Sequence, residues 1–494
     1  MTDILRALLD SCERTPTAPA LTLRRTTLRY ADLRDRVLGV ASSLSERGLV
    51  PGDRVLFSVR PGLDGIVLAL GIIAAGGTVV FADPGAGDTL FRARAQLAAP
   101  RWIAAESLLY AVSSGPLRGI ARRRGIDLPD YAAIVPDARH LYSGPWLPGV
   151  PKSAVALRRL FRGSPGVVVA DPHAEALVIF TSGTTDAPKA VVHSRTSLGT
   201  GLDDFAQAVG FVAGERVLTD QLMVGIPALI AGAHWELPPP GLDPGARPER
   251  YLGLLPRADV LFAVPAALDA LLHLLESRPE LTPHLRALVI GGAPVLRPLL
   301  ERGRKQLPGT AIRCIYGMTE ILPVAIADGD EKLEYTGAGD FVGTLASSVS
   351  ASIRDGELVV SGPGLADYLD EPLDELATGD LARLEGERLV LAGRSKEMFI
   401  RGTTNVYPGL YEPVIAGLPG VRAAALVGIP NQIGDDELVL AVVLDGATVD
   451  AVRTALPGLI DAAVLPDRIV ELDELPTAGR SAKLDRDALA EALR

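Results

Sequence analysis

Residues 28–270 carry the pattern that most limits how this chain can fold: short apolar, β-branched runs alternating with segments of helical periodicity. Arg54-Val55-Leu56-Phe57-Ser58-Val59, Thr78-Val79-Val80-Phe81 and Ala176-Leu177-Val178-Ile179-Phe180 are such runs. Their apolar residues are consecutive, so no face is left polar and both sides are expected to be buried. Strands separated by helices give an α/β architecture of layered, mostly parallel sheets with flanking helices. Residues 65–82 are uncharged but do not read as a membrane span. Gly76-Gly77 interrupts them, Thr78 to Phe81 is strand-like, and Asp83-Pro84 ends the stretch. A buried helix, a turn and a core strand are expected instead. Gly/Pro clusters at 143–152 and 237–248 read as surface loops.

The character changes near residue 394. Residues 421–427 and 437–444 are apolar strand candidates, and 485–494 is a charged helix. About 100 residues follow Gly393, enough for a separate small α+β domain. The start of the chain has no basic region leading into an apolar run, so no signal peptide is expected. Cys12 and Cys314 are too far apart for a metal-ligand spacing, and a reducing, cytoplasmic setting is expected. The formal charge of −11 argues against a nucleic-acid partner held through phosphates. It does not exclude small anionic substrates, because local fields decide their binding. Lysine is scarce: Lys152, Lys189, Lys305, Lys332, Lys396 and Lys483 are the six among 49 lysines and arginines. A retained lysine marks a position where a compact ammonium suits better than a planar guanidinium.

Five segments carry chemistry. Phe180-Thr181-Ser182-Gly183-Thr184-Thr185-Asp186-Ala187-Pro188-Lys189 runs from an apolar strand into a loop of hydroxyls and glycine, ending on a lysine. Backbone N–H groups and hydroxyls in such a loop suit phosphate oxygens, although no Walker A pattern is present. Cys314-Ile315-Tyr316-Gly317-Met318-Thr319-Glu320 offers a ring for a base, a hydroxyl for a phosphate or carboxylate oxygen, and a carboxylate for Mg²⁺. Ala377-Thr378-Gly379-Asp380 presents a carboxylate suited to ribose hydroxyls. Gly393-Arg394-Ser395-Lys396-Glu397, with Arg401-Gly402-Thr403-Thr404-Asn405-Val406-Tyr407-Pro408 after it, and Ser481-Ala482-Lys483-Leu484-Asp485-Arg486 complete the set. Taken singly, YGxTE fits a strand end with a solvated Glu, and the Gly-Asp pair an ordinary turn.

In this order the five resemble the adenylate-forming superfamily of acyl-CoA synthetases, luciferases and peptide-synthetase adenylation domains. Leu28-Arg29-Tyr30-Ala31-Asp32-Leu33, Pro51-Gly52-Asp53-Arg54-Val55 and Gly291-Gly292-Ala293-Pro294 belong to the same resemblance, which spans nearly the whole chain. It implies a large N-terminal domain over 1–393, a hinge at 394–396 centred on Lys396, and a small mobile domain over 397–494. It implies ATP, Mg²⁺ and CoA, or the phosphopantetheine of an acyl carrier protein, as cofactors and partners. By the same resemblance Thr181, Ser182, Gly183, Thr184, Thr185 and Lys189 hold phosphates. Gly292, Ala293 and Tyr316 hold adenine, Gly317 belongs to the same ATP/AMP site, and Asp380 and Arg394 take the ribose. Thr319 contacts the α-phosphate, Glu320 carries Mg²⁺, Gly402 lines the thiol path, and Lys483 bridges carboxylate and phosphate oxygens. Three of the six lysines fall at these positions.

Four departures stand out. Asp186 replaces a glycine of the phosphate loop. Ala190 and Ala482 stand where glycine is usual, each costing about 1 kcal/mol if a positive φ is required there. The aromatic-His pair of acyl- and aryl-CoA ligases is missing after Arg216. Met223, Val224, Phe262, Met318, Ile321 and Leu322 are candidate acid-pocket residues, and their apolar character points to a hydrophobic small-molecule carboxylic acid. His193 reads as a satisfied structural histidine and Asp220 as a surface residue. The leading expectation is acyl-AMP formation followed by a CoA thioester. Transfer to a carrier-protein phosphopantetheine, a β-lactone synthetase acting on a β-hydroxy acid, and an inactive nucleotide- or acyl-binding paralogue stand beside it. Monomer and homodimer both remain open.

Overall fold

A computed structural model describes residues 2–82, 88–123, 128–161, 163, 166, 168–169, 171–181, 189–369, 371–394, 399–401, 404–406, 408–430, 436–460, 464–478 and 483–494. The chain divides into two compact units. The first comprises 1–241, 318–322 and 362–374; the second comprises 242–317, 323–361 and 375–494.

The first unit is organised by an eight-stranded sheet. Its order is Asp367–Tyr368, Lys189–Ser194, Glu175–Thr181, Thr78–Phe81, Arg54–Ser58, Trp102–Glu106, Arg139–Ser143 and Val155–Ala156. The last six strands pair in parallel, whereas Lys189–Ser194 is antiparallel to both its neighbours. Side-chain alternation sends successive residues to opposite faces. Val55, Phe57, Val79, Trp102 and Leu177 enter one apolar cluster; Leu56, Val80, Ile103 and Val178 enter another on the opposite face. This two-sided burial is what the unbroken apolar runs led us to expect. The uncharged 65–82 segment folds as the buried helix Leu63–Ala74, a turn and the core strand Thr78–Phe81. No helix among the described residues is long and apolar enough to cross a membrane.

Four further strands of this unit, Arg216–Leu218, His234–Leu237, Pro19–Leu23 and Thr26–Arg29, form a second ladder. Trp235 is fully buried there, and its indole N–H donates to the Thr219 carbonyl at 2.8 Å. A Cβ on Gly225 would lie 2.0 Å from the indole. The helix Leu222–Ile230, which carries Met223 and Val224, is therefore seated by its glycine against that ring.

In the second unit Val260–Ala263, Ala287–Gly291 and Ala311–Met318 pair in parallel. From Asp340–Leu345 onward the pairings are antiparallel, through Arg388–Arg394, Leu376–Glu385 and Glu357–Ser361 to Ser350–Arg354. Short connections account for this change. Asp355-Gly356, both at positive φ, joins two of these strands as a two-residue hairpin turn. The α/β layering therefore holds, with parallel pairing in the first strands of this unit and antiparallel pairing in the later ones.

The expected strands at 421–427 and 437–444 and the expected helix at 485–494 are all present. Val421–Pro430, Asp436–Leu444 and Arg468–Glu471 form a three-stranded sheet with an apolar cluster on each face. The helix Arg486–Leu493 is capped by Asp485, which accepts from the Ala488 N–H, and Arg486 pairs with both oxygens of Glu412 at 2.7 Å. The expected hinge residues Ser395 and Lys396 lie outside the described residues, immediately after the strand Arg388–Arg394.

Candidate active site

Several of the residues singled out above fall in two groups: Lys189, Thr319 and Glu320 in the first unit, and Tyr316, Asp380 and Arg394 in the second. In the first unit the strand Glu175–Thr181 ends at Thr181, and Lys189–Ser194 returns beside it with Thr181 opposite Lys189. The apolar strand before the hydroxyl-rich segment thus anchors both ends of that segment. Ser182, Gly183, Thr184, Thr185 and Asp186 themselves lie outside the described residues, as do Gly402 and Ala482. Ala190 needs no positive φ: it lies within the strand, opposite Phe180, and is buried. The strain expected for an alanine at that position is absent because regular extended backbone suits any side chain.

Thr319 and Glu320 form the turn between the strands Ala311–Met318 and Ile321–Asp328. Two bonds fix this turn. Nε2 of His193 lies 2.8 Å from the Thr319 carbonyl oxygen, and the Ala366 N–H donates to the Glu320 carbonyl at 2.8 Å. A carbonyl only accepts, so Nε2 carries the imidazole proton. Nδ1 is 3.4 Å from the Ser197 hydroxyl. His193 is buried, and desolvation lowers its pKa, keeping the ring neutral. It is thus a structural histidine, and it holds the turn that carries Thr319.

Tyr368 joins the two charged residues of this group. Its O–H donates to Oε1 of Glu320 at 3.1 Å, and Nζ of Lys189 lies 4.6 Å from the centroid of its ring. Burial, with the Glu320 carboxylate beside it, pushes the phenol pKa up to about 12. The hydroxyl therefore remains a proton donor at any ordinary pH. Sequence reasoning did not find Tyr368. It lies on a two-residue edge strand, too short to show a period.

The second group surrounds Asp380. This carboxylate is only 4 % exposed, and its Oδ2 accepts from the Tyr316 hydroxyl at 2.6 Å. Gly379 has φ +76, a left-handed turn that glycine adopts without strain, and its N–H donates to Glu357 Oε1 at 2.6 Å. The Thr378 hydroxyl accepts from the Asp380 N–H at 3.1 Å and donates to the Leu358 carbonyl at 2.9 Å. Arg394 is the register partner of Asp380, so the motif at 377–380 meets Gly393-Arg394 on the adjacent strand. Gly292, at φ +87, turns the chain out of the strand Ala287–Gly291, and Ala293 follows it half-buried.

The candidate pocket residues divide by burial. Val224 and Ile321 are buried; Met223, Met318 and Leu322 in the first unit and Phe262 in the second are half-buried. The helix Arg195–Val209 packs closely on this segment: a Cβ on Gly201 would lie 2.4 Å from the Leu322 carbonyl oxygen. Asp220 is exposed and accepts from Gln221 Nε2 at 2.9 Å. Lys483 is exposed on the two-residue strand Lys483–Leu484, paired with Thr477–Ala478. Cys12 and Cys314 are buried free thiols, each pushed up to about 12 chiefly by burial.

Comparison with known proteins places these groups in context. The pattern of the family described as "AMP-binding enzyme" matches residues 8–368. The chain is 28 % identical to a salicyl-AMP ligase / salicyl-S-ArCP synthetase of Mycobacterium tuberculosis, over 94 % of this chain and 85 % of that one. It is 27 % identical to a feruloyl-CoA synthase of an Amycolatopsis species, over 94 % of each. Among solved structures, the amide bond synthetase McbA of Marinactinospora thermotolerans superposes with a TM-score of 0.81 at 24 % identity, over 99 % of both chains. That last likeness establishes the shared fold. With the matched pattern covering well over half of the sequence, the chain belongs to the AMP-binding enzyme family, within the adenylate-forming superfamily of acid ligases.

Proposed function

We propose that this protein activates a hydrophobic carboxylic acid with ATP and then transfers the acyl group to the thiol of CoA. In the first step an oxygen of the acid attacks the α-phosphorus. The bond from that phosphorus to the pyrophosphate oxygen breaks, giving acyl-AMP and pyrophosphate. In the second step the thiol sulfur attacks the acyl carbon, AMP leaves, and the thiol proton passes to solvent.

Both reactants of the first step are anions, so positioning and charge neutralisation control its rate. Lys189 and the hydroxyls of 181–185 would take the outer phosphates. Thr319 would contact the α-phosphate, and Lys483 would bridge carboxylate and phosphate oxygens. Asp380 and Arg394 would hold the ribose, with Tyr316, Gly317, Gly292 and Ala293 around adenine. Met223, Val224, Phe262, Met318, Ile321 and Leu322 would line or back the acid pocket. Lys396 would serve as the hinge between the two half-reactions, and Gly402 would border the thiol path.

Glu320 would hold Mg²⁺. Its carboxylate is a hard oxygen donor with acceptor capacity beyond the bond from Tyr368. Among the described residues no three His, Cys, Asp or Glu side chains cluster as metal ligands, which suits an ion held largely by substrate phosphates. When bound, the ion neutralises charge on the triphosphate. The buried free thiols suit a cytoplasmic enzyme.

One observation carries this reading: the family match spans 8–368, the stretch that includes Lys189, Thr319 and Glu320. The similarity to a salicyl-S-ArCP synthetase supports a second acceptor, the phosphopantetheine of a carrier protein. ATP–pyrophosphate exchange across a panel of aliphatic and aromatic acids tests the first step. Exchange with at least one apolar acid is expected; none with any acid, while ATP still binds, would favour a binding protein. Offering CoA and holo-carrier protein to the preformed acyl-AMP then separates the two acceptors.

A further inference from the structure

We propose that Tyr368 is a positioning residue that holds Lys189 and Glu320 in place through two different parts of one side chain. The ring face takes the Lys189 ammonium, and the hydroxyl takes the Glu320 carboxylate. The idea rests on the proposed function for what these two charges do. The geometry itself stands apart from that reading.

Lys189 and Glu320 carry opposite charges and flank the same aromatic side chain. The ammonium lies 4.6 Å from the ring centroid, and Oε1 of Glu320 is 3.1 Å from the phenol oxygen. A ring face attracts a cation through its quadrupole, while its hydroxyl donates to an anion. One tyrosine therefore satisfies both charges at opposite ends. It gives each a partner other than the opposite charge, so both can face a bound ligand.

The backbone around Tyr368 fixes this arrangement. Asp367–Tyr368 pairs antiparallel with Val192 and Val191, on the same strand that starts at Lys189. The Leu369 N–H donates to the Ala190 carbonyl at 2.9 Å, one residue beyond Lys189. On the other side the Ala366 N–H donates to the Glu320 carbonyl at 2.8 Å. The segment 366–369 is thus hydrogen-bonded both to the strand leaving the hydroxyl-rich loop and to the turn carrying Glu320. Tyr368 also closes a bridge with Glu371, each N–H donating to the other's carbonyl at 3.0 Å.

Two substitutions separate the two contacts. Tyr368→Phe keeps the ring and removes the hydroxyl; Tyr368→Leu removes both. In the ligand-free protein, acetic anhydride labelling read by peptide mass spectrometry reports on the Lys189 amine. Loss of the ring should speed labelling of Lys189 several-fold in Tyr368→Leu but not in Tyr368→Phe, with Lys152 and Lys305 as internal controls. Mn²⁺ binding to the ATP-loaded protein, followed by electron paramagnetic resonance, reports on Glu320. Loss of an outer partner of a metal-binding carboxylate typically weakens the metal ~10-fold or more, and both variants should show it. ATP affinity without divalent cation should fall only in Tyr368→Leu. Equal Lys189 labelling in all three proteins, or wild-type Mn²⁺ affinity in Tyr368→Phe, would overturn the assignment. If the wild type binds no ATP, the function proposed above fails, and the labelling arm still decides the role of Tyr368.

Discussion

On the first unit, Lys189, Tyr368 and Glu320 sit at exposed or half-buried positions, and their opposite charges meet through an aromatic ring. On the second unit, Asp380 is almost wholly buried and its carboxylate is held by a neutral hydroxyl, on a turn pinned through Gly379 and Thr378. The contrast fits the two tasks that the proposed function assigns. Charges that meet a mobile, highly charged triphosphate and its metal need solvent access and room to adjust. A carboxylate proposed to read a neutral sugar gains from a fixed direction, and its burial demands well-aligned donors. Under the proposed function, the first group would serve charge neutralisation and the second recognition of the nucleoside.

The largest effect is expected at Lys483, which the proposed function assigns to the adenylation step. Lys483→Ala should lower acid-dependent ATP–pyrophosphate exchange by about 10²–10³-fold, the typical cost of losing one preorganised transition-state charge partner. Thioester formation from supplied acyl-AMP should survive; equal loss of both steps would contradict the assignment of Lys483 to adenylation alone.

Charge-neutral isosteres address the contrast itself. Asp380→Asn should weaken AMP and ATP alike, by about 10–100-fold in Kd, because hydrogen bonds to a charged group contribute about 1.5–3 kcal/mol. Glu320→Gln should leave AMP binding unchanged and weaken only the magnesium complex of ATP. Calorimetric titration with both nucleotides checks this, and the same nucleotide profile in both variants would erase the distinction between the halves.

Smaller again is Tyr316→Phe. It removes one donor to a buried carboxylate, so both nucleotide affinity and thermal stability should fall, the latter by about 1–3 kcal/mol. Unchanged melting would mean that the 2.6 Å bond adds nothing to the fold.

The smallest effect concerns pH. The fold lowers the His193 pKa below its ordinary 6.5, so the unfolded chain takes up a proton before the native protein does. Stability contributed by the neutral ring is complete above pH 6.5 and is lost as pH falls toward the lowered native value. His140 and His234 are lowered in the same direction by burial. His193→Asn should therefore remove only part of the stability slope below pH 6.5 in urea titrations. An unchanged slope would show that His193 does not contribute to it.

Much of this was legible in the sequence. Unbroken apolar runs such as Val55-Leu56-Phe57 announce burial on both faces, and two clusters receive them. The Gly-Asp turn at 379–380 and the Tyr316 motif were visible as candidate site segments, but their direct bond was not. They are 64 residues apart, on strands that do not pair with each other, so only the folded structure brings them together. Tyr368 was invisible for a related reason: its partners are remote in sequence, and its strand has only two residues. The expected cost of Ala190 did not materialise, because a missing glycine says nothing about φ until the strand pairing is known. The antiparallel half of the second unit followed from short turns such as Asp355-Gly356, which a search for apolar runs passes over.

Isotope transfer tests the central claim most directly. A substrate acid labelled with ¹⁸O in both carboxyl oxygens is turned over with unlabelled ATP, and the released AMP is weighed by mass spectrometry. If the acid attacks the α-phosphorus, each AMP carries one ¹⁸O from the acid and the pyrophosphate carries none. Label in orthophosphate or pyrophosphate instead, or unlabelled AMP, would contradict adenylation by this protein.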